Sequence, residues 1–182
     1  CDSLIKAGKI PAVIVVGIYN TNDRNEEYHP GKKGENYMRY VVETIKPLID
    51  SHYRTKQDRE NTIVGGSSSG GTFAFMMAWE YPDVFSKAIC MSPAFNIGKI
   101  DLVKSVVQYK DSKKDLQFYI DNGGIALEAR LQPGIDKMMK ALQNKGYQEG
   151  KDYFWIKDNQ AQHNEAAWAK RFPTAIEWIM RD

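Results

Sequence analysis

The chain has 182 residues, of which 42% are hydrophobic and 26% are charged, so it is long enough for one domain, residues 1–182, with its own core. Its 25 basic and 23 acidic residues are spread along the chain and leave a net charge of +2, which argues against nucleic-acid binding and against a membrane-surface role. The apolar runs are too short to span a bilayer, and two cysteines imply no disulfide framework.

The predicted elements alternate between strands and helices along the chain. Apolar and β-branched runs indicate strands at 12–19, 61–66, 87–93, 115–124 and 152–158. Apolar residues at helical spacing indicate helices at 37–49, 70–81, 134–147, 165–172 and 173–182, and 97–114 is weakly helical. We expect Pro47 to kink or break the first helix and Pro173 to begin the last.

This order predicts an α/β fold, a mostly parallel sheet with helices on its faces. In such sheets ligands bind at the carboxyl ends of the strands. We therefore expect the chemistry in the segments that follow the strands: 20–24, 67–69, 92–95, 121–128 and 158–163.

Ser68 stands at the junction of the second strand and the next helix, with Gly66 two residues before it and Gly70 two residues after it. The G-x-S-x-G spacing relieves crowding at a sharp strand-to-helix turn and exposes the serine hydroxyl at the helix N-terminus. A glycine-rich turn without chemistry has the same pattern, but the preceding strand and the following apolar helix favour a nucleophile. Ser67 and Ser69 have the wrong glycine offsets. Ser68 is the predicted nucleophile, and the N–H of Ser69 is the predicted oxyanion-hole donor.

A serine hydroxyl needs a base to become a good nucleophile, and the chain has three histidines. His163 follows the last strand, which fits the chain order serine, acid, histidine that serines on such turns use. It is the predicted base, and its alternative is a loop histidine that caps the helix at Glu165. We expect His29 and His52, which precede the nucleophile, to be surface histidines.

The acid that orients the base is expected after the fourth strand, in the sequence YIDNGGIALEARL. Glu128 is preferred and Asp121 is the alternative. Asp121 could instead hold the DNGG turn, and Glu128 could be a carboxylate on a helix surface. Asp158 is a further candidate, although it is close to His163 in sequence. The residues around His163 lack the spacing of a zinc site, so we predict neither a metal nor a cofactor.

Several segments together resemble an esterase family of α/β-hydrolases: GKIPAVIVVGI, RNEEY, GGSSSGG, YPDVFSKAICMSPAF, YIDNGG with the later LE, and HNEAAW. The family includes feruloyl and acetyl-xylan esterases, ferric enterobactin esterase and S-formylglutathione hydrolase, and the resemblance runs through nearly the whole chain. It implies the α/β-hydrolase fold and a carboxylic ester hydrolase with a serine, acid and histidine. In the family the acid commonly stands at the position of Ala126, two residues before Glu128.

The resemblance also implies a substrate class and a location. Feruloyl or acetyl esters of plant cell-wall polysaccharide are the preferred substrates, and a siderophore or a small thioester is the alternative. A secreted or periplasmic location is implied by the same likeness.

Members of the family carry a further N-terminal part before the segment that matches GKIP. It includes a strand whose turn supplies the second oxyanion donor, and that strand lies between those matching 12–19 and 61–66. We therefore expect the sheet to lack its N-terminal strands, and a missing N-terminal segment or a second chain to complete it.

Four residues are candidates for contact with the substrate. The resemblance suggests that Arg24 and Glu27 order the polar loop beside the nucleophile, with Arg24 reaching an acidic or phenolic group. Tyr19, Phe95 and Trp168 could wall an acyl pocket, although aromatic residues are more often part of the core.

Three functions stay open on the sequence alone. In the preferred one, His163 deprotonates Ser68, the serine attacks an ester carbonyl, and water later releases the acyl group. In the second, an alcohol or sugar accepts the acyl group in place of water. The third is a non-catalytic scaffold with the outline of an esterase, which the absent N-terminal strand favours.

Overall fold

A computed structural model describes residues 1–181. Within these residues the strands are β1 Ile63–Ser67, β2 Lys87–Met91, β3 Asn96–Ile97, β4 Ile100–Asp101, β5 Gln117–Gly123 and β6 Tyr153–Asp158. Four of them form a parallel sheet in the order β1-β2-β5-β6, and β3 and β4 form a small antiparallel ribbon. The predicted parallel sheet is therefore present.

Helices connect the strands and cover the sheet. In the same part of the chain they are α1 Asp2–Lys6, α2 Arg24–Glu27, α3 Lys32–Tyr40, α4 Lys46–His52, α5 Ser69–Glu80, α6 Val103–Gln108, α7 Leu127–Asn144 and α8 Glu165–Ile179. A π-helical turn, Val41–Ile45, joins α3 to α4. None of these helices is both long and apolar enough to cross a membrane.

The first predicted strand is wrong. Residues 12–19 belong to no strand, and the side chains of Val15 and Tyr19 are 74% and 95% exposed. A β-branched run becomes a strand only where a neighbouring strand supplies partners for its N–H and C=O groups. Strand β1 is at the edge of the sheet and pairs only with β2, so the run at 12–19 has no such neighbour among residues 1–181.

Pro47 and Pro173 interrupt the helices less than the sequence predicts. Pro47 lies in the first turn of α4, directly after the π-helical turn, where its missing N–H costs little. Pro173 lies inside α8, so the two predicted terminal helices are one, because the apolar face after the proline still packs on the sheet. Helix α7 begins at Leu127 rather than at residue 134. Asp182, the last residue of the predicted final helix, lies outside the described residues.

The core lies on both faces of the sheet. In β2, Ala88 and Cys90 pack against the cluster that includes α5 and α7, whereas Ile89 and Met91 pack against α8. Because both faces are covered, the strands are apolar throughout rather than alternating. The register aligns the carboxyl ends of the four strands, and this edge carries the residues described next.

Candidate active site

Ser68 occupies a strained turn between β1 and α5. Its φ angle is 56°, a left-handed value that non-glycine residues rarely adopt, and its N–H donates to the carbonyl of Met91 at 2.8 Å. Strain of this kind persists only where the surroundings enforce it, and it clusters at functional sites. The turn places the Ser68 hydroxyl at the N-terminus of α5.

The glycines around the turn have unequal roles. A Cβ on Gly66 would lie 2.5 Å from the carbonyl carbon of Gly70, and a Cβ on Gly71 would lie 2.8 Å from the carbonyl oxygen of Met91. A Cβ on Gly70 would meet nothing within 4 Å. The crowding therefore requires glycine at 66 and 71, and the expectation that Gly70 relieves it was wrong.

Ser69 is the first residue of α5, so its N–H has no acceptor within the helix and is available to an oxygen beside Ser68. Its hydroxyl lies 3.1 Å from Nε2 of His29, a half-buried residue of the loop after α2. Burial lowers the pKa of His29, a hydrogen bond with the backbone of Asn25 opposes the shift, and the charge of Arg24 adds to it. His29 is therefore not the plain surface histidine that was predicted.

His163 lies beside Ser68. Its Nε2 is 2.8 Å from the hydroxyl oxygen of Ser68, and its Nδ1 is 3.3 Å from Oε1 of Glu128. The second contact is long, and Nδ1 makes no well-formed hydrogen bond among the described residues. Asn164, rather than His163, caps α8, since its side chain accepts the N–H of Ala167.

Glu128 is a fully buried carboxylate in the first turn of α7. Its Oε2 accepts the N–H of Gly123 at 3.0 Å, and its Oε1 accepts the hydroxyl of Ser92 at 2.8 Å. Burial raises the pKa of Glu128, but His163 and these two donors outweigh it, so the pKa lies below its usual range. The group is thus held as an acceptor facing His163.

The two other candidate acids have different partners. Asp121 pairs with Arg171 at 2.9 Å, and burial raises the pKa of Asp121 although Arg171 opposes that shift. Asp158 accepts the N–H of Gln160 and holds the turn after β6. Of the acids that the structure describes, only Glu128 comes within 4 Å of a ring nitrogen of His163.

The candidates for substrate contact lie in different environments. Phe95 has no exposed surface and packs edge-on against Phe75, so in this structure it belongs to the core and lines no open pocket. Trp168 packs edge-on against the ring of His163, with 5.0 Å between the ring centres. Tyr19 projects into solvent.

Arg24 lies over the ring of Tyr28, which stacks on Phe73 of α5. Glu27, which is buried, accepts the N–H and the hydroxyl of Thr21. Both residues therefore order the loop that precedes α3. No contact places the Arg24 guanidinium against the Ser68–His163 pair among the residues described.

Sequence reasoning assigned no role to Ser92 or Arg171, which both lie behind the acid. Ser92 falls within the predicted segment 92–95, but a serine after a strand is too common to single out. Arg171 had a clearer signal, because it shares one face of α8 with Ala175 and Ile179, both buried. An arginine in phase with apolar helix residues indicates a buried, paired charge.

Comparison with known proteins shows the family of this chain. The family model described as "Putative esterase" matches residues 1–179. The chain belongs to this esterase family. It is 25% identical over 147 residues to an endo-1,4-beta-xylanase/feruloyl esterase of Xylanibacter ruminicola. This match covers 80% of the present chain and 19% of that protein. It is 29% identical over 121 residues to the uncharacterized protein YjcH of Bacillus subtilis, covering 65% of this chain and 49% of that protein.

Solved structures of esterases share the fold. The enterobactin esterase of Shigella flexneri superposes with a TM-score of 0.80 at 17% identity, over 97% of this chain and 46% of its own. A ferulic acid esterase gives a TM-score of 0.75 at 18% identity, over 99% and 75%. The fold of this chain is therefore of the α/β-hydrolase type. The chain spans about half the length of YjcH and of the enterobactin esterase.

Proposed function

We propose that this esterase-family chain carries the catalytic residues of a serine carboxylic ester hydrolase. The observation that supports this most directly is the 2.8 Å approach of His163 Nε2 to the hydroxyl of Ser68, with the buried carboxylate of Glu128 on the other side of the imidazole. Nucleophile, base and orienting acid in this arrangement are the requirements of acyl transfer through a serine ester.

The proposed reaction has two halves. His163 Nε2 takes the proton of Ser68 while its oxygen attacks the ester carbonyl, and the N–H of Ser69 stabilises the oxyanion that forms. The imidazolium then gives its proton to the leaving alcohol, which leaves the acyl group on Ser68. Water, deprotonated by His163, attacks this ester. The imidazolium gives its proton to the Ser68 oxygen as the bond to the acyl carbon breaks, which releases the carboxylic acid and restores the free serine.

Feruloyl and acetyl esters of plant cell-wall polysaccharide are the proposed substrates. The sequence match to a xylanase/feruloyl esterase extends over 80% of this chain, whereas the enterobactin esterase shares the fold at 17% identity. Siderophore esters and small thioesters are the second candidates. Initial rates with methyl ferulate, acetylated xylan, 4-nitrophenyl acetate, S-formylglutathione and enterobactin rank them, and a preference for either of the last two would reject our assignment.

A further strand beside β1 is proposed to complete the sheet. Support comes from the open edge of β1 and from the apolar run at 12–19, where Ile14, Val15 and Val16 are exposed. A missing N-terminal segment is the proposed occupant, and a second chain is the alternative. Hydrogen exchange at 63–67 should be slower in the full-length protein than in this chain alone, at a concentration where both are monomeric. Equal exchange would contradict the proposal.

Labelling with a fluorophosphonate tests the proposed enzyme. The full-length protein should be labelled at Ser68, Ser68→Ala should abolish labelling, and Ser67→Ala, one residue away, should keep it. Absence of labelling in a folded protein would favour the non-catalytic scaffold. Product analysis with an added alcohol distinguishes hydrolysis from acyl transfer, since a transferase forms a new ester where a hydrolase forms the acid.

A further inference from the structure

We propose that Ser92, fixed by Trp168 and Arg171 of α8, is a positioning residue that holds Glu128 ionised and aimed at His163. The proposal rests on the function proposed above and adds three residues to it. Ser92 directly follows β2, Glu128 lies on α7, and the two donors lie on α8, so the hydroxyl of Ser92 connects three elements.

The hydrogen bonds of Ser92 determine the direction of its hydroxyl. Its Oγ accepts the indole N–H of Trp168 at 2.9 Å and an N–H of Arg171 at 3.0 Å. Neither donor can act as an acceptor, and a hydroxyl oxygen has two lone pairs, so both are used. The one hydroxyl hydrogen therefore points to Oε1 of Glu128, 2.8 Å away. This bond requires Oε1 to accept, which favours the carboxylate over the carboxylic acid.

Arg171 is itself held in place. Its Nε and Nη2 donate to the two oxygens of Asp121 at 2.9 and 3.1 Å, so the guanidinium is bound in a fork. Tyr119 donates its hydroxyl to the same carboxylate at 3.1 Å. The Nη2 that contacts Ser92 also contacts Asp121. Asp121, within β5, therefore positions the guanidinium that in turn positions Ser92.

The backbone of Ser92 is held in an unusual conformation. Its φ angle is 45°, again left-handed, and its N–H donates to Oδ1 of Asp121 at 3.0 Å. A strained residue persists where its surroundings hold it, and here Asp121 holds the backbone while Trp168 and Arg171 hold the side chain. Ser92, Asp121, Glu128 and Arg171 are buried, so water competes little for the bonds among them, and Trp168 is half-buried.

The consequence for catalysis concerns orientation. Oε1 of Glu128 receives the hydroxyl of Ser92 and lies 3.3 Å from Nδ1 of His163, while Oε2 is tied to Gly123. Removing the Ser92 hydroxyl frees the carboxylate to rotate away from the imidazole. A misplacement of about 1 Å at a group that orients the base costs about 10- to 100-fold in rate.

A double-mutant cycle with Glu128→Gln tests the proposal in the full-length protein. We expect Ser92→Ala to lower kcat and the rate of fluorophosphonate labelling by about 10- to 100-fold, with KM little changed. In the Glu128→Gln background the same substitution should change either quantity less than about twofold, since the group it acts through is already lost. A merely structural role would give the same factor in both backgrounds, and that result overturns the proposal.

Trp168→Phe provides the second variant if Ser92→Ala does not fold. It removes one donor to Ser92 and should lower the labelling rate by about 3- to 10-fold in the parent and not at all in Glu128→Gln. Trp178→Phe is the matched control, because the Trp178 indole N–H, on the same helix, is buried without a partner among the described residues. Equal losses in Trp168→Phe and Trp178→Phe also overturn the proposal.

The same experiment separates this proposal from the proposed function. If labelling does not depend on Ser68, the proposed enzyme function has failed. The positioning role of Ser92 then fails with it, because Glu128 would not belong to a catalytic site. If labelling depends on Ser68 and Glu128 but the effects of Ser92→Ala and Glu128→Gln multiply, the enzyme assignment stands and only the positioning role is rejected.

Discussion

Nε2 of His163 lies 2.8 Å from the hydroxyl oxygen of Ser68, although 95 residues separate them and their strands are at opposite edges of the sheet. Three strand spacings, about 14 Å, separate β6 from β1. The loop after β6 crosses this distance over the end of β5, where the N–H groups of Gly124 and Ile125 donate to the carbonyl of Ala161 at 3.2 Å. These hydrogen bonds at the end of β5 thus hold the loop in the position that brings His163 to Ser68.

Gly124→Ala tests this crossing. A Cβ at residue 124 would overlap the backbone of Asn159, which must then move and carry the loop with it. We expect the rate of fluorophosphonate labelling at Ser68 to fall by about 100-fold while the thermal midpoint changes little, since the loop is at the surface. A time course of labelling gives the rate, and thermal unfolding of the same samples gives the midpoint. An unchanged labelling rate would show that the contact between β5 and this loop does not position His163.

The turn at Ser68 gives a second prediction, on stability. Gly66→Ala and Gly71→Ala place a Cβ against the backbone of Gly70 and Met91, so each should destabilise by about 1–3 kcal/mol. Gly70→Ala is the matched control: its Cβ meets nothing, and alanine favours the helix, so stability should change by less than about 1 kcal/mol. Urea unfolding of the three variants gives the values. A loss in Gly70→Ala as large as in Gly66→Ala would show that the crowding lies elsewhere.

The contrast between Glu128 and Asp121 gives a third prediction. Glu128→Gln should lower kcat by about 100-fold or more, because the imidazolium loses its carboxylate, with a smaller change in stability. Asp121→Asn leaves the Arg171 charge buried without its partner and should destabilise by about 3–5 kcal/mol. Activity and urea unfolding measured on both variants separate the roles. If Asp121→Asn lost more activity per folded molecule than Glu128→Gln, Asp121 would be the orienting acid.

The elements that the sequence predicted are those with strong local signals. The runs at 61–66 and 115–124 are apolar, end in glycine and are followed by helical patterns, and both are strands of the sheet. The run at 12–19 is also apolar and β-branched but forms no strand, because pairing depends on a neighbour that a local pattern cannot reveal. The helix limits at Pro173 and Leu127 were missed for a related reason, since tertiary packing outweighed the local preference.

Some residues of the candidate site also have a local sequence signal, and others do not. The turn signature identifies Ser68 as a candidate, and chain order does the same for His163, so the sequence brings both to one edge of the sheet. Contacts between distant segments carry no such signature. His29 touches Ser69 across 40 residues of chain, and Arg171 reaches Ser92 across 79. Phe95 shows the reverse error, because its place after a strand suggested the site while its side chain turns into the core.

His29 gives the last prediction, which concerns pH. Its pKa is lowered in the folded chain, so folding favours the neutral imidazole over the cation. The stability it contributes is complete above the pKa of an unfolded histidine, about 6.5, and is lost as the pH falls through the lower folded value. We compare the protein with His29→Gln, which keeps a hydrogen-bonding side chain toward Ser69 and does not titrate.

The difference in free energy of unfolding between the two proteins should be constant from about pH 8 to pH 7 and should then shift against the parent down to about pH 5. The two proteins differ only at residue 29, so the difference between them isolates the contribution of His29. Urea unfolding at pH 8, 7, 6 and 5 measures it. A difference that shifts in favour of the parent on acidification would mean that folding favours the charged imidazole, and the contact with Ser69 would then have to be an N–H donated by a cation.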